Sequence, residues 1–356
     1  MFPSSTGLDL LPSCGTGSPL VQGIGMNIDM IRAAADRARG AIRRTPLLSA
    51  PALDALAGRR VFIKAECLQH TGSFKARGGW AAVSALPQDT PGVLAMSSGN
   101  HGQGVARAAA HGDLPCVVLM PADAPQAKIE GTRAWGAEVL LYDRQRDDRD
   151  SLGARLAEER GLALIPPFDH PEVIAGQGTT GLEIAAQAAE EGVARADVLV
   201  CCGGGGLSAG IALALAAEAS GLRVRTVEPR GFDDVALSLE AGERLRNAPG
   251  GTTLCDAIMT PMPGRLTFPL LQAHCGPGLA VTDEEALQAM ALAFRHLRIV
   301  LEPGGAVSLA AALFRRDQIE GTAVIAVASG GNVDRGLFAR ALAASGDPLA
   351  GPMAPI

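Results

Sequence analysis

The stretch "ADVLVCCGGGGLSAGIALALAAEASG", residues 196–221, decides the fold class. Ala196 to Cys201 form a short apolar run of strand length. Four glycines, Gly203 to Gly206, follow, and then a dozen small and apolar residues, enough for a helix. A buried strand that passes through glycine into a helix is the building unit of a parallel sheet. The same alternation runs outward in both directions. "RRVFIKAE" (59–66), "GVLAMSS" (92–98), "PCVVLMP" (115–121) and "AEVLLYD" (137–143) precede it, while "LRVRTVEP" (222–229) and "GTAVIAVASGG" (321–331) follow. Helical patterns separate these runs, so the sequence predicts an α/β chain with open, mostly parallel sheets covered by helices. Ligands of such sheets bind beyond the carboxyl ends of the strands. The residues directly after each run are therefore the informative ones.

Composition narrows the partners. The chain has 356 residues and 47% hydrophobic residues, enough for a substantial core, but only 3% aromatics against 44 glycines. That core is aliphatic and rich in close backbone approaches. A net charge of −6 with no basic stretch argues against nucleic acid. No apolar run reaches membrane-span length. Seven cysteines without metal-ligand spacing read as reduced thiols in a cytoplasmic protein, with the adjacent Cys201 and Cys202 as buried small hydrophobes. Residues 1–25, Gly/Ser/Pro-rich, read as a disordered extension, and 346–356 as a flexible tail. Between them the expected division is a large domain of residues 26–91 and 169–345 and a small one of 92–168.

Three further loops carry polar residues at strand ends. In "HTGSFKARGG", residues 70–79, one long amine, Lys75, stands among small residues. A solvated lysine needs no such clearance; one that touches a planar ligand does. In "SSGNHGQG", residues 97–104, Asn100 reads on its own as a helix N-cap. A cap accounts for one polar residue, and the loop has five. In "ASGGN", residues 328–332, Ser329 reads equally as a helix cap or a ligand contact. The glycines 203–206 turn successive N–H groups toward one point at a helix start, and a phosphate is the expected guest. A dinucleotide is the alternative, with Glu228 placed as the ribose-binding acid.

Together "TGSFKARGG", "SSGNHGQG", "GGGGL" and "SGGN" resemble the fold-type II pyridoxal-phosphate enzymes, in the threonine/serine dehydratase and serine racemase branch. The resemblance runs from about Ile28 to about Ala343. It implies that Lys75 carries pyridoxal 5'-phosphate as a Schiff base, with Phe74 beside the ring. It implies Asn100 at the phenolic oxygen, the N–H groups of Gly203, Gly204, Gly205, Gly206 and Leu207 at the phosphate, and Ser329 at the pyridine nitrogen. Ser97, Ser98, Gly99, Asn100 and His101 would meet the substrate, and Ser98 matches the serine that exchanges a proton on the opposite ring face in racemases. A neutral serine at the ring nitrogen favours rapid loss of a β-substituent. The expected activity is therefore β-elimination of water from serine or threonine, giving a 2-oxo acid and ammonia. Racemisation and 3-hydroxyaspartate dehydration are the alternatives within the family.

"VEPRGFDD", residues 227–234, matches the branch's divalent-cation loop, with Glu228, Asp234 and the Phe232 carbonyl as ligands for Mg2+, Ca2+ or Mn2+. The plainer reading is a charge pair at a helix start. Arg149 aligns loosely with a position near the substrate's distal end, where it would hold a second carboxylate; the plainer reading is a surface arginine in an acidic stretch. No length remains for the regulatory domain of biosynthetic threonine dehydratases, so isoleucine feedback is not expected. A homodimer is. A nicotinamide-dependent oxidoreductase and a silent cofactor-binding protein stand as readings of other classes.

Overall fold

The computed structural model describes residues 25–124 and 126–344. The extension expected at 1–25 lies outside these residues except for Gly25, and the tail expected at 346–356 lies wholly outside. Among the described residues there are ten strands: β1 (Leu47–Ser49), β2 (Arg60–Lys64), β3 (Val93–Met96), β4 (Cys116–Pro121), β5 (Glu138–Tyr142), β6 (Ala163–Leu164), β7 (Ala196–Cys201), β8 (Leu222–Pro229), β9 (Leu279–Val281) and β10 (Ala323–Val327). The helices in the first half are α1 (Ile28–Arg37), α2 (Pro51–Ala57), α3 (Lys75–Ser84), α4 (Asn100–His111), α5 (Gln126–Arg133), α6 (Arg149–Arg160) and α7 (Pro171–Glu190). Those in the second are α8 (Gly206–Glu218), α9 (Asp234–Ala241), α10 (Thr267–His274), α11 (Asp283–Leu297), α12 (Pro303–Phe314) and α13 (Arg335–Ala344). None of them is long and apolar enough to cross a membrane.

The strands form two sheets. One has the order β1-β2-β10-β7-β8-β9 and the other β5-β4-β3-β6. All pairings are parallel except β1 with β2. Every residue of β7, β10 and β4 is buried, as expected of strands covered on both faces. The register in the larger sheet aligns three carboxyl ends, because Val327 of β10 pairs with both Lys64 of β2 and Val200 of β7. The loops that follow these strands therefore emerge side by side.

The β3 loop belongs to the other sheet and reaches the same place through helix packing. A Cβ on Gly79 of α3 would lie 2.7 Å from the Gly104 carbonyl of α4, and one on Gly104 would lie 2.7 Å from the Lys75 carbonyl. These two helices touch backbone to backbone. The contact continues through α3 and α7, where a Cβ on Gly176 would come within 2.6 Å of the Arg77 carbonyl. It continues again through α7 and α8, where one on Gly210 would come within 2.6 Å of the Gly178 nitrogen. The small residues after Lys75 are thus required by neighbouring helices. This packing is a reason for their size beside the clearance that Lys75 needs. Gly78 instead faces the side chain of Gln177 on α7.

This packing gives a prediction of sign. Gly79→Ala forces α3 and α4 apart and should cost about 1–3 kcal/mol. Gly131→Ala, in helix α5 with only the Gln103 side-chain end within 4 Å, should stabilise by about 0.5–1 kcal/mol because alanine is the better helix former. Chemical denaturation of the two variants checks the pair. Equal effects of the same sign would show that the close approach carries no energetic weight.

Candidate active site

Lys75 is the first residue of α3, and its Nζ donates to the Pro167 carbonyl at 2.7 Å. It lies in a cleft between the two sheets, lined also by Ser97, Ser98, the glycine loop and Thr260. Burial lowers its pKa to about 8, against smaller opposing effects from Cys201 and Glu302. The neutral amine is therefore accessible near physiological pH. The Phe74 ring centroid is 5.1 Å from Nζ. The Phe74 amide donates to the Ser329 carbonyl, which ties the lysine loop to the end of β10.

The glycine loop opens α8. Its first-turn N–H groups have no acceptor within the helix, and its residues line the cleft. Glycine is required here by what packs behind the loop. Gly205 sits at φ 94°, and a Cβ on Gly204 or Gly206 would meet Phe168. The side chain of Gln177 is buried beside Lys75 with neither its oxygen nor its nitrogen hydrogen-bonded, and Thr260 Oγ1 is likewise buried without a partner. Polar atoms left in this state ask for a polar guest.

After β3, the N-cap of α4 is Gly99, so Asn100 is not a helix cap. Its Nδ2 donates to Glu302 Oε1 at 2.6 Å, and its Oδ1 accepts from Asn332 Nδ2 at 2.7 Å. Ser98 and His101 line the same cleft. His101 Nε2 is 2.8 Å from the Ile165 carbonyl, and burial, with Lys75 nearby, pushes the imidazole pKa down to about 3. His101 is neutral. Ser329 is buried in the cleft and precedes α13 by six residues, so it does not cap that helix; Asp334 does. Cys201 and Cys202 are both buried core residues, as expected; Cys201 also lines the cleft near Ser329, with burial raising its thiol to about 11.

Arg149 begins α6 at the cleft wall, half-exposed and paired with Asp150 at 2.8 Å. Arg144, which the sequence reading passed over, lines the same wall. Glu302, Asn332 and Gln177 were also passed over. Only the glycines beside them gave a signal. A Cβ on Gly330 would strike Glu302 Oε1, and one on Gly72 would lie 2.5 Å from Asn332 Oδ1.

Glu228 is placed otherwise than either reading expected. It is fully buried, and its two oxygens accept from the amides of Val235 and Ala236 at 2.9 and 2.8 Å. It caps α9 and does not face the glycine loop, which removes the ribose-binding role and with it the main support for a nicotinamide cofactor. Each Glu228 oxygen accepts one bond and keeps a second lone pair. Asp234 Oδ1 accepts from Asn247, and only Oδ2 is buried without a partner. Among the described residues no group of three or more His, Cys, Asp or Glu side chains is arranged to hold a metal ion. The expected cation site of Glu228, Phe232 and Asp234 is not shown: Glu228 caps α9, and Asp234 Oδ2 is left buried without a partner. Burial, and then Asp234 close by, raise Glu228 well above the usual carboxylate range, and burial raises Asp234 to about 7.

A family model described as pyridoxal-phosphate dependent enzyme matches residues 38–330. An L-threo-3-hydroxyaspartate ammonia-lyase of Pseudomonas sp. is 40% identical over 309 residues, covering 86% of this chain and 95% of its own. A serine racemase of Schizosaccharomyces pombe is 37% identical, covering 86% and 94%. The crystal structure of a T.th. threonine deaminase superposes with a TM-score of 0.82 at 44% identity, covering 86% of this chain and 99% of that one.

The raised acid at Asp234 fixes a pH dependence. Its protonated form is favoured by the fold, so its contribution is full below the ordinary aspartate range and is lost as pH rises through about 7. In chelator, Asp234→Asn should therefore gain on the wild type in melting temperature between pH 5 and pH 8. A variant that melts lower than the wild type at pH 8 would show that the fold needs the charged form.

Proposed function

Because the chain belongs to the pyridoxal-phosphate dependent enzymes, we propose that it removes water from a β-hydroxy-amino acid, giving a 2-oxo acid and ammonia. The observation that carries this reading is the placement of Lys75. A lysine of lowered basicity stands between a glycine cradle and a neutral buried serine.

These residues fit pyridoxal phosphate. The unpaired amides of Gly203 to Leu207 suit its phosphate, and the unpartnered Gln177 and Thr260 lie in the same cleft. Lys75 would hold the aldehyde carbon, Asn100 would face the phenolic oxygen and Ser329 the ring nitrogen. When bound, the cofactor supplies a conjugated sink for the electron pair released at Cα. Lys75 Nζ, freed by the incoming amino group, is the base for the Cα proton, since its neutral form is accessible near pH 8. Ser329 offers the ring nitrogen a hydroxyl and no charge, which keeps the sink weak. Loss of the β-hydroxyl as water then competes well with return of the proton. The released enamine takes up water and gives ammonia and the 2-oxo acid. Ser98 also lines the cleft, so a return of the proton to the other face is the minor outcome expected.

Arg144 and Arg149 on the cleft wall favour a substrate with a second carboxylate, namely 3-hydroxyaspartate. Each is already paired with a neighbouring exposed aspartate, which an incoming carboxylate would replace.

Three results are expected. Lys75→Ala should lose both the visible absorbance of bound cofactor and all turnover. Uptake of pyridoxal phosphate by the apoprotein should speed up as pH rises through about 8, because the neutral amine is the nucleophile. In an assay of 2-oxo acid release, 3-hydroxyaspartate should outperform serine and threonine. Arg149→Ala should lower kcat/KM for it about tenfold more than for serine. An equal loss for both substrates would sink the second-carboxylate reading, and no release from any of them would sink the elimination itself.

A further inference from the structure

Asn100 is held from two sides, and the donors and acceptors fix which way its amide points. The chain of contacts begins at a backbone carbonyl. Asn332 Nδ2 donates to the Thr71 carbonyl at 2.7 Å, which no flipped amide could do. The same nitrogen donates to Asn100 Oδ1 at 2.7 Å. Asn100 must then turn its nitrogen the other way, and there it meets Glu302 Oε1 at 2.6 Å. An ionised carboxylate only accepts, so it selects the N–H side of Asn100. One N–H of Asn100 is spent on Glu302, and the second remains for the cleft. Flipping Asn100 would set its oxygen against the carboxylate and its nitrogen against the Asn332 nitrogen, two repulsive contacts in place of two bonds.

Glu302 is spent on little else. It stands at the N-cap of α12, yet its side chain makes no capping bond to that helix. It is nine-tenths buried and lines the cleft with Lys75, Asn100 and Ser329. The glycine at 330 leaves room for its carboxylate. The links of this chain come from separate parts of the fold: the segment before α3, the start of α4, the loop after β10 and the start of α12.

We propose that Glu302 is a positioning residue that, through Asn100, holds an amide N–H on the phenolic oxygen of the bound cofactor. This rests on the reading of the cleft as a pyridoxal-phosphate site. The consequence is electronic. A donor held on that oxygen stabilises its anionic form and so sets the acidity of the adjoining imine nitrogen. Loss of the carboxylate's charge would leave Asn332 as the sole restraint on Asn100 and weaken its hold on the N–H that faces the cleft. The acid also titrates within reach of assay, since burial raises it to about 7. The charged and titratable groups that act on it are Lys75 at the start of α3, Lys128 on α5 and Asp256 on the 3-10 turn before Met259. Two thiols, Cys67 and Cys201, feel its charge as well.

The test is spectroscopic and uses the holoenzyme. In Glu302→Gln the volume is kept, and lysine-bound cofactor should still form. The apparent pKa of its visible absorbance band should move by about one unit. The circular dichroism of the band should change as well, and kcat should fall about tenfold or more with KM within about threefold. Asn100→Ala should show the same spectral shift, and the double variant no further shift, since both act through one contact. A Glu302→Gln enzyme with an unchanged band and titration overturns the proposal. So does an additive double variant, and so does a loss of melting temperature alone, which would mark Glu302 as structural. If Glu302→Gln does not fold, Asn332→Ala releases Asn100 from the other side and must shift the band. An unshifted band there also overturns the proposal. Failure of the wild type to bind the cofactor at Lys75 would instead overturn the reading of the site on which this rests.

Discussion

The backbone contact between α3 and α4 at Gly79 and Gly104 is the constraint on which the site depends. The end of β3 lies in one sheet, and the ends of β2, β7 and β10 lie in the other. Strand register aligns the last three, but it has no hold on the first. Helix α4 leaves β3 through Ser97 to Gly99, and α3 begins at Lys75. With no side chain between them at the crossing, the position of one helix start dictates that of the other. The same device carries α3 to α7 through Gly176 and α7 to α8 through Gly178 and Gly210. The lysine, the polar loop after β3 and the glycine cradle are thereby placed by one stack of helices. Interiors packed to crystal-like density transmit position in this way, because a displacement at one contact finds no void to absorb it.

A second restraint fixes the direction of α3. Arg77, two residues after Lys75, is buried and makes two parallel bonds to Glu66, both at 2.7 Å. It also reaches both oxygens of Glu183 on α7, and Lys64 Nζ, fully buried, joins Glu183 at 2.5 Å and the Thr45 carbonyl at 2.8 Å. Two cations meet two carboxylates, so the group is neutral as a whole. Burial pushes the Glu66 carboxyl up, but Arg77, Lys64 and Thr45 together hold the group below its usual range. Replacing such a set by apolar residues costs little, whereas deleting one member leaves an uncompensated buried charge worth about 3–5 kcal/mol. The network therefore specifies an orientation more than it adds stability. It fixes the angle at which the helix bearing Lys75 leaves its loop.

Much of the frame was legible in the sequence, because a strand buried on both faces leaves an unbroken apolar run. β2, β3, β4, β5, β7, β8 and β10 all fall within the runs read from it. β1, β6 and β9 did not show, since two or three residues carry no period. The glycines near Lys75 were visible, but the packing reason for them was not, because it lies in helices remote along the chain. Asn100 reads as a cleft residue, with a helix cap as its plainer reading, but its place in the middle of a side-chain relay did not show. Glu228 ended a strand where a ligand acid belongs, and only the fold showed its oxygens turned onto the amides of α9. Glu302 lies 202 residues from its partner Asn100, a separation at which local sequence is silent.

The charges around the cleft complete the physical picture. The chain carries a net charge of −6, so its mean field repels anions. Along the cleft, Lys75, Lys128, Arg144 and Arg149 face the acids Asp256 and Glu302, and the two arginines are paired with Asp123 and Asp150 at its rim. Screening confines the distant surface charge to roughly 8 Å at physiological salt, whereas charges along a concave low-dielectric wall reinforce one another. Lys128 and Asp256 are themselves paired across the cleft at 3.1 Å, and the Glu302 carboxyl is raised to about 7 and so is partly protonated near neutrality. What an entering ligand meets is then the lysine, the unpaired amides of the glycine loop and two arginines whose aspartates it would displace. Such a surface has most to offer a ligand with several anionic groups spread over its length, a phosphate at one end and carboxylates at the other.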